Sequence, residues 1–530
     1  MSAEFNYLFV SDLHLSEGVS QQTGKTHRNE DFFHDDAFAQ FINYHVHLSR
    51  DPNQASTYQT PWKLVINGDI FDFLQVVSLP DMEDEQLVLN VMNAAGRPIS
   101  KHQNLTENKS KYGLGTSEPE IVWKLKHISQ GHPSFFQALG WFVANGNQIV
   151  MMKGNHDVEL FWPAVQTCMH YILANAYADW RTNALAGDSW PLTLFDDLPE
   201  TISSTEVATA VSFPPNYYLE EGLFYAEHGC QYDPSNWFPN FTDPRLPSDK
   251  EYLELPFGSL FVRYFFNGIE TVHPFADNMK PMSRYAFWLL QNAPSATFQF
   301  LFTLVPGYLA AIWQVQKKMR NASNENRQSP ENDFERYLFS IQKSIRDWMV
   351  SGGRRTTIMM IFAILVRVGS IVLFLNAFRL LVASSFLWMG ANFLGGFLVQ
   401  VFSSYLLDSL DSLFAEPFLL RGAKQICAVL NSHQPDTFSA VPYLIFGHDH
   451  ASKVEQIHAE SGQPAPDYKQ WYINTGTWGP IFSEEDRLLR DVEQLTYFML
   501  LTKNLDSNKK PQLLHWPVSG ERPLKVRLFE

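Results

Sequence analysis

Short apolar runs separated by segments of helical periodicity fill the N-terminal part of the chain. YLFVSD at 7–12 and KLVINGD at 63–69 are typical of buried β-strands, and apolar positions at helical spacing predict a helix over 35–48. A second helix is predicted at 135–146, where the pattern ends near a glycine, and a third strand follows within 148–157. This recurrence of strand, helix and strand predicts an α/β fold.

Further strand patterns occur later in the chain. Residues 217–229 predict a β-hairpin that turns at 220–222. Near the C-terminus, YLIFGHDH at 443–450, WYINTGTW at 471–478 and YFMLL at 497–501 read as additional strands. Together with the N-terminal elements, they predict an α/β sandwich built from both ends of the chain.

The middle of the chain has a different pattern, because it contains long stretches with almost no charge. Residues 285–316 and 380–407 are uncharged, and 356–376 contain only Arg367 as a charge. Prolines in the first stretch favour a re-entrant or interfacial segment. The other two exceed the ~20 apolar residues that span a bilayer, so they predict a transmembrane hairpin with both ends in the cytoplasm. The alternative is a set of buried helices in a large soluble insert.

Length and charge narrow the organisation and the partners. At 530 residues the chain exceeds one compact domain, which predicts a core over 1–230 and 441–530 interrupted by a helical, aromatic-rich insert over 231–440. A formal net charge of −16 disfavours nucleic acid as a partner. Three dispersed cysteines support neither a disulfide framework nor a cysteine zinc site. The N-terminus lacks the pattern of a secretory signal, so we expect a cytoplasmic catalytic domain that is associated with the membrane.

Five short motifs occur at the ends of predicted strands, and each contains oxygen or imidazole ligands. In chain order they are Asp12-Leu13-His14, Gly68-Asp69, Gly154-Asn155-His156-Asp157, His228-Gly229 and Gly447-His448-Asp449-His450. Each motif alone is a weak signal, whereas all five in this order are specific. Because ligands of open α/β sheets bind beyond the carboxyl ends of the strands, we expect the motifs to meet in the fold.

The potential ligands are too many for one tetrahedral ion and suit two ions that share a carboxylate. They are Asp12, His14, Asp69, Asn155, His228, His448 and His450. Gly68, Gly154 and Gly447 directly precede three of them, which lets the backbone approach the ions closely. Imidazole and carboxylate ligands suit Mn, Fe, Zn or Co, so the ligand set does not choose among these metals.

Together the motifs resemble those of the calcineurin-like metallophosphoesterase superfamily, over about residues 5–230 and 440–480. The resemblance implies an α/β/β/α sandwich. It implies that one divalent ion is held by Asp12, His14, Asp69 and His450, and a second by Asp69, Asn155, His228 and His448. It also implies that Asn155 and His156 bind substrate, that His156 is the catalytic histidine and that Asp157 orients it.

This resemblance implies hydrolysis of a phosphate monoester or diester. Two divalent cations ~3.5–4 Å apart lower the pKa of a bridging water, and they clamp the attacking and leaving oxygens. His156 would then protonate the leaving alkoxide or stabilise charge on the phosphoryl oxygens. Asp449 either orients a histidine of the site or is a solvated turn residue, and 473–478 is interpreted as structural.

The position of the insert bears on the substrate. It lies between His228 and His448, as does the helical lid of the UDP-2,3-diacylglucosamine hydrolases in the same superfamily, although those enzymes typically have arginine at the position of His156. We therefore expect a lid that admits a lipid-like or lipid-linked phosphate ester, with membrane contact through 356–407. The alternatives are a soluble nucleotide or nucleotide-sugar phosphodiesterase and a non-catalytic membrane scaffold. The sequence leaves the oligomeric state open.

Overall fold

Two β-sheets carry the predicted motifs, and they are seen in a computed structural model of the chain. The structure describes residues 5–267, 334–349, 373, 376, 379, 388, 391–398, 418–432, 440–458, 465–481, 492–493, 495–503, 505–518 and 522–525. The described residues form two compact units. The first lies within Met1–Gln231, Ser235–Ser329 and Cys427–Glu530, and the second within Tyr232–Pro234 and Pro330–Ile426.

The described residues form strands and helices in mixed order, and the strands predicted within 7–12, 63–69 and 148–157 and the helices predicted at 35–48 and 135–146 are among them. The strands are β1 (Asn6–Val10), β2 (Trp62–Asn67), β3 (Met82–Glu83), β4 (Gln86–Met92), β5 (Pro98–Asn104), β6 (Gln148–Met152), β7 (Val211–Ser212), β8 (Tyr218–Glu220), β9 (Phe224–Ala226), β10 (Arg245–Leu246), β11 (Asp249–Leu253), β12 (Tyr443–Phe446), β13 (Lys453–Ile457), β14 (Gln470–Asn474), β15 (Pro480–Ile481), β16 (Val492–Glu493), β17 (Thr496–Leu500), β18 (Leu513–His515) and β19 (Leu524–Lys525). The helices are α1 (Asp35–Arg50), α2 (Glu107–Tyr112), α3 (Glu118–Gly131), α4 (Pro133–Ala144), α5 (Pro163–Leu185), α6 (Ser204–Ala210), α7 (Phe257–Phe261) and α8 (Phe418–Asn431), and residues 334–349 and 391–398 are also helical.

The larger sheet has seven strands in the order β19-β18-β17-β1-β2-β6-β7. Its strands β1, β2, β6 and β7 are parallel, whereas β17 joins β1 in antiparallel orientation. The second sheet has five strands in the order β13-β14-β12-β9-β8, and its strands β9, β12 and β14 are parallel. The hairpin predicted at 217–229 is confirmed as the antiparallel pair β8 and β9. The chain is therefore a mixed α/β protein, and both sheets combine parallel and antiparallel pairs.

Strand β1 is apolar at four consecutive positions, 7–10, instead of alternating, and the packing on its two faces explains this pattern. Leu8 and Val10 belong to a core cluster that includes residues of α1, α3, α4 and α5. Tyr7 and Phe9 belong to a second cluster, which contains Phe224 and other residues of the five-stranded sheet. Because both faces of β1 are covered, both faces must be apolar.

The same arrangement brings the carboxyl ends of five strands to the predicted motifs. Asp12 follows β1, Asp69 follows β2, and Asn155 follows β6, and these three strands are parallel neighbours. His228 and His448 follow β9 and β12, which are parallel neighbours in the other sheet. The expectation that the ligands follow strand ends is confirmed.

The insert predicted over 231–440 differs from the structure at its beginning. Residues 235–267 belong to the first unit, and the Arg263 guanidinium donates to the carbonyls of Gly113 and Leu114 at 3.1 and 2.8 Å. Residues 334–349 belong to the second unit, where the Arg421 guanidinium lies 4.3 Å from the ring centre of Trp348. The insert is thus only in part a separate unit.

The prediction of a transmembrane helix is corrected. Among the described residues, none of the helices combines the length and the apolar character needed to cross a bilayer. The stretch 285–316 lies outside the described residues, and of 356–376 and 380–407 only 373, 376, 388 and 391–398 are described.

Candidate metal centre

The predicted ligands converge at one place in the first unit. Three overlapping groups have ligand atoms within 4.8 Å of one another, and these are Asp12, His14 and His450, then His14, Asp69 and His156, then Asp69, His228 and His448. We call the first of these ligand group 1 and the last ligand group 2. His14 and Asp69 each belong to two of the three groups, so the cluster is continuous.

The spacing of the ligand atoms is that of atoms sharing a cation. His14 Nε2 lies 3.2 Å from His450 Nε2, and His450 Nε2 lies 3.3 Å from Asp12 Oδ1. In ligand group 2, His228 Nε2 lies 3.1 Å from Asp69 Oδ2. Ligands of a tetrahedral ion at about 2.1 Å are separated by about 3.4 Å. These buried histidine and aspartate groups could therefore hold a metal ion.

The backbone of the ligands is strained in a consistent way. Asp12, His14, Asp69, His448 and His450 have φ angles of 55°, 55°, 51°, 73° and 59°, in the left-handed region that side chains avoid. Only three other non-glycine residues of the described chain have positive φ. Such conformations cost about 1–3 kcal/mol each and concentrate at functional sites. The strain therefore points to a role of these loops beyond stability.

Hydrogen bonds to neighbouring backbone set how one ligand faces the cluster. His228 Nδ1 lies 2.9 Å from the carbonyl oxygen of Asn67, so it is the nitrogen that carries the proton of the neutral ring. His228 Nε2 is buried without a hydrogen-bond partner among the described residues, although it lies 3.1 Å from Asp69 Oδ2. A short distance between nitrogen and oxygen is not by itself a hydrogen bond, because the N–H must also point at the oxygen. Asn155 Oδ1 is likewise buried without a partner there. Two buried atoms with lone pairs, both without a hydrogen-bond partner at one cluster, fit a bound cation.

Three glycines leave room for the ligand side chains. A Cβ on Gly68 would lie 2.4 Å from His228 Nδ1, and a Cβ on Gly154 would lie 2.1 Å from Asp69 Oδ1. At Gly447 the closest contact would be 2.7 Å, to Asp12 Oδ2. The glycines before the ligands are thus required mainly by close packing, and of the three only Gly68 has a positive φ.

Electrostatics at the cluster keep the carboxylates ionised. Burial disfavours the charged forms, but His450 holds the pKa of Asp12 well below its usual range, and His228 and His156 do the same for Asp69. Burial also opposes charge on His228, yet Asp69 raises the pKa of this imidazole to about 9. The proton on His228 therefore offsets part of the carboxylate charge, and a cation would take over that role.

The carboxylate that contacts His156 differs from the one predicted. Asp72 Oδ2 lies 2.6 Å from His156 Nδ1, and Asp72 is fully buried. Asp157, predicted to orient His156, instead accepts from the backbone N–H groups of Gly154 at 2.5 Å and Ile70 at 2.7 Å. Asp157 thus ties two ligand loops together. Burial raises its pKa to about 7, and the charge on Asp69 adds to this shift.

The remaining motif residues form the support of the site. Asp449 Oδ1 accepts from Asn474 Nδ2 at 2.6 Å, so this carboxylate stabilises the loop between the two last histidines. Thr477 Oγ1 donates to the carbonyl of Asp12 at 2.7 Å, and Trp478 N donates to the same oxygen at 3.2 Å. Residues 473–478 thus stabilise the loop that contains Asp12, in agreement with the structural role predicted for them.

Neither a protein-family model nor a curated protein matches the chain. No prediction from the sequence concerned Asp72, although it lies three residues after Asp69, or Asn67, whose backbone carbonyl contacts His228 from a distant segment. Asn474 lies within 473–478, the stretch interpreted as structural.

Proposed function

We propose that the protein is a phosphoesterase of the calcineurin-like metallophosphoesterase superfamily, with an α/β/β/α sandwich and two divalent ions. The observation that carries this proposal is the continuity of the ligand cluster, since Asp69 belongs to ligand group 2 and also shares a group with His14 of ligand group 1. A carboxylate between two ligand sets is the arrangement that two adjacent ions require.

The donor set fits such ions. One would be held by Asp12, His14 and His450, the other by Asn155, His228 and His448, with Asp69 shared between them. When bound, two divalent cations polarise a phosphate ester and make a water molecule more acidic at neutral pH. Mn, Fe, Zn and Co all suit these nitrogen and oxygen ligands.

His156 has the surroundings of an acid–base residue. Its Nδ1 faces the Asp72 carboxylate at 2.6 Å, and its ring stacks edge-on against His14 with 4.7 Å between ring centres. The Asp72 contact fixes the ring and favours the protonated imidazole, so Nε2 on the opposite edge is the atom we assign to the substrate. From there it would donate a proton to the leaving oxygen or stabilise charge on the phosphoryl group.

The proposed substrate is a phosphate monoester or diester with an apolar part. The position of the insert between His228 and His448 favours such a substrate by resemblance to the lid of the UDP-2,3-diacylglucosamine hydrolases. Separately, Phe393, Phe397 and Trp388 of the second unit are 60%, 53% and 66% exposed. Large exposed aromatic side chains are typical of surfaces that contact lipid or apolar partners. We include membrane contact through 356–407 in the proposal, and Trp388, Phe393 and Phe397 are the described residues of this range that would take part.

Metal analysis combined with a phosphate-release screen tests the proposal. Purified full-length protein is expected to contain two divalent ions per chain and to hydrolyse an aryl phosphate ester, and lipid esters in micelles are expected to exceed nucleotide esters. Asp69→Ala and His156→Ala should each abolish the activity, whereas only Asp69→Ala should lower the metal content. Faster hydrolysis of nucleotide esters would favour the nucleotide phosphodiesterase alternative. Unchanged turnover in both variants would refute the assignment.

A further inference from the structure

Residues 235–267 pack directly against the ligand loops, although the sequence analysis placed them in the insert. We call them the docking segment. Its Phe241 carbonyl accepts from the buried Lys153 Nζ at 2.6 Å, immediately before the Gly154-Asn155 motif. Its Asn267 Nδ2 donates to the carbonyl of Leu74 at 2.9 Å, close to Asp72. The docking segment thus contacts the loops that follow both β2 and β6.

Two further contacts hold Asn155 itself. The Ser259 hydroxyl, fully buried, donates to the Asn155 carbonyl at 3.1 Å. The side-chain Nδ2 of Asn155 donates to Asn236 Oδ1 in a long hydrogen bond of 3.5 Å. Both the backbone and the side-chain amide of Asn155 are therefore positioned by the docking segment.

The contact with Asn236 decides which end of the Asn155 amide faces the cluster. An amide group has a donor end and an acceptor end, and its orientation follows its hydrogen bonds. With Nδ2 directed at Asn236, Oδ1 is the atom that remains buried without a partner among the described residues. Asn155 also lies beside Asp69, because His156 N on its C-terminal side donates to Asp69 Oδ1 at 2.9 Å. A cation is coordinated by the oxygen of an amide, whereas the partial positive charge of the NH2 group repels it.

Close packing holds Asn236 in this position. Gly258 in α7 packs closely against Asn236, because a Cβ on this glycine would lie 2.0 Å from Asn236 Oδ1. Gly258 N also donates to the Ser235 carbonyl at 2.7 Å. The start of the docking segment and its helix α7 thus contact each other beside Asn236, which accepts from the Asn155 side chain.

We propose that the docking segment is a positioning element of the metal centre, in which Asn236 and Ser259 set Asn155 as a ligand beside Asp69. The proposal rests on the two-ion centre proposed above and adds that the affinity of one ion depends on residues outside the five motifs. Loss of such supporting contacts lowers metal affinity about 10–100-fold in metalloproteins. We expect the ion of ligand group 1 to be affected less, because Asn155 is proposed as a ligand of the other ion.

Titration of the metal-free full-length protein with Mn²⁺ tests the proposal by calorimetry, without any substrate. Asn236→Leu keeps the shape and removes the acceptor, whereas Asn236→Asp keeps an acceptor at the same place. We expect Asn236→Leu to weaken one of the two Mn²⁺ sites by about 10–100-fold and to leave the other within about twofold. Asn236→Asp should bind both ions nearly as the unmodified protein does, and Ser259→Ala should weaken the same site as Asn236→Leu. Thr242→Ala, an exposed position in the same segment, is the matched control.

The outcomes separate this inference from the proposed function. Two unchanged sites in both Asn236→Leu and Ser259→Ala, or equal weakening of both sites, would overturn the positioning role. Asn236→Asp as weak as Asn236→Leu would also overturn it, because the acceptor would then be irrelevant. Should the unmodified protein bind fewer than two Mn²⁺ ions, the two-ion centre itself fails and the inference falls with it. Thermal unfolding of each metal-free variant distinguishes a loss of folding from a loss of metal affinity. If Asn236→Leu does not fold, Ser259→Ala tests the same site.

Discussion

Replacement of Asp72 by asparagine tests which carboxylate controls His156. Asp72 Oδ2 faces His156 Nδ1 at 2.6 Å, while Asp72 Oδ1 accepts from the backbone N–H groups of Leu74 and Gln75 at 2.9 and 3.0 Å. In Asp72→Asn those two N–H groups would retain the amide oxygen, so the NH2 group would face Nδ1. The ring would then have to accept at Nδ1, which disfavours the protonated form and changes the tautomer.

The expected loss follows from the bond that is removed. Burial opposes the charge of Asp72, but His156 and His14 hold its pKa well below the usual range, so the carboxylate is ionised at neutral pH. A hydrogen bond to a charged group contributes about 1.5–3 kcal/mol, which corresponds to about a 10- to 150-fold change in rate. We therefore expect Asp72→Asn to lower kcat for an aryl phosphate ester by about that factor at saturating metal.

Asp157→Asn is the matched comparison, because it makes the same chemical change one residue after His156. The Asp157 carboxylate accepts from the backbone N–H groups of Gly154 and Ile70, and more distantly from that of Phe71 at 3.4 Å. This variant should lower thermal stability and should change kcat of the folded, metal-saturated protein less than Asp72→Asn does. Steady-state kinetics with metal content measured on the same samples decides the matter. A larger loss of kcat in Asp157→Asn would refute the assignment of Asp72.

Other predictions concern stability and packing. His132 lies between Glu30 and Asp35 at 3.1 and 3.0 Å; burial opposes its charge, but the two carboxylates raise its pKa from 6.5 to about 10. The contribution of protonated His132 to stability is therefore complete below pH 6.5 and is lost as the pH rises toward 10. In urea unfolding, His132→Gln should lower the free energy of unfolding by about 3–5 kcal/mol near pH 6 and by less near pH 10. A loss that does not depend on pH would contradict this prediction. Gly154→Ala would place a Cβ 2.1 Å from Asp69 Oδ1. It should therefore lower the free energy of unfolding by about 1–3 kcal/mol and weaken metal binding. An unchanged stability and an unchanged metal affinity would show that the loop moves to make room for the methyl group. Chelation of the metal should lower the melting temperature, by an amount equivalent to about 2.7 kcal/mol when metal had been present at 100 times its Kd; an unchanged melting temperature would argue against a resident ion.

Local pattern was sufficient for much of the fold and for the ligand list. Continuous apolar runs identified β1, β2 and β6, because strands covered on both faces have no polar side. Ligands placed directly after such strands had to gather at one edge, and Asp12, Asp69 and their partners do so. The long helix α5 and the hairpin of β4 and β5 were not predicted. In α5 the polar and apolar residues have little helical periodicity, so the pattern does not indicate a helix.

The transmembrane prediction shows a different limit of the sequence. Uncharged length is compatible with a bilayer and with a protein interior, and local composition does not distinguish between them. Among the described residues the helices are too short or too polar to cross a membrane.

The sequence alone was thus sufficient to predict which buried histidines and aspartates gather in the candidate cluster, because each follows a strand that its own neighbours specify. The tertiary structure alone decided the contacts between segments distant in the chain. Asp72 meets His156, and Asn236 meets Asn155, across separations of 84 and 81 residues. Asp157 is adjacent to His156 in sequence, yet its carboxylate is directed to the backbone of two loops. Side-chain direction depends on backbone angles and on packing between segments, and neighbours in sequence often point apart for that reason.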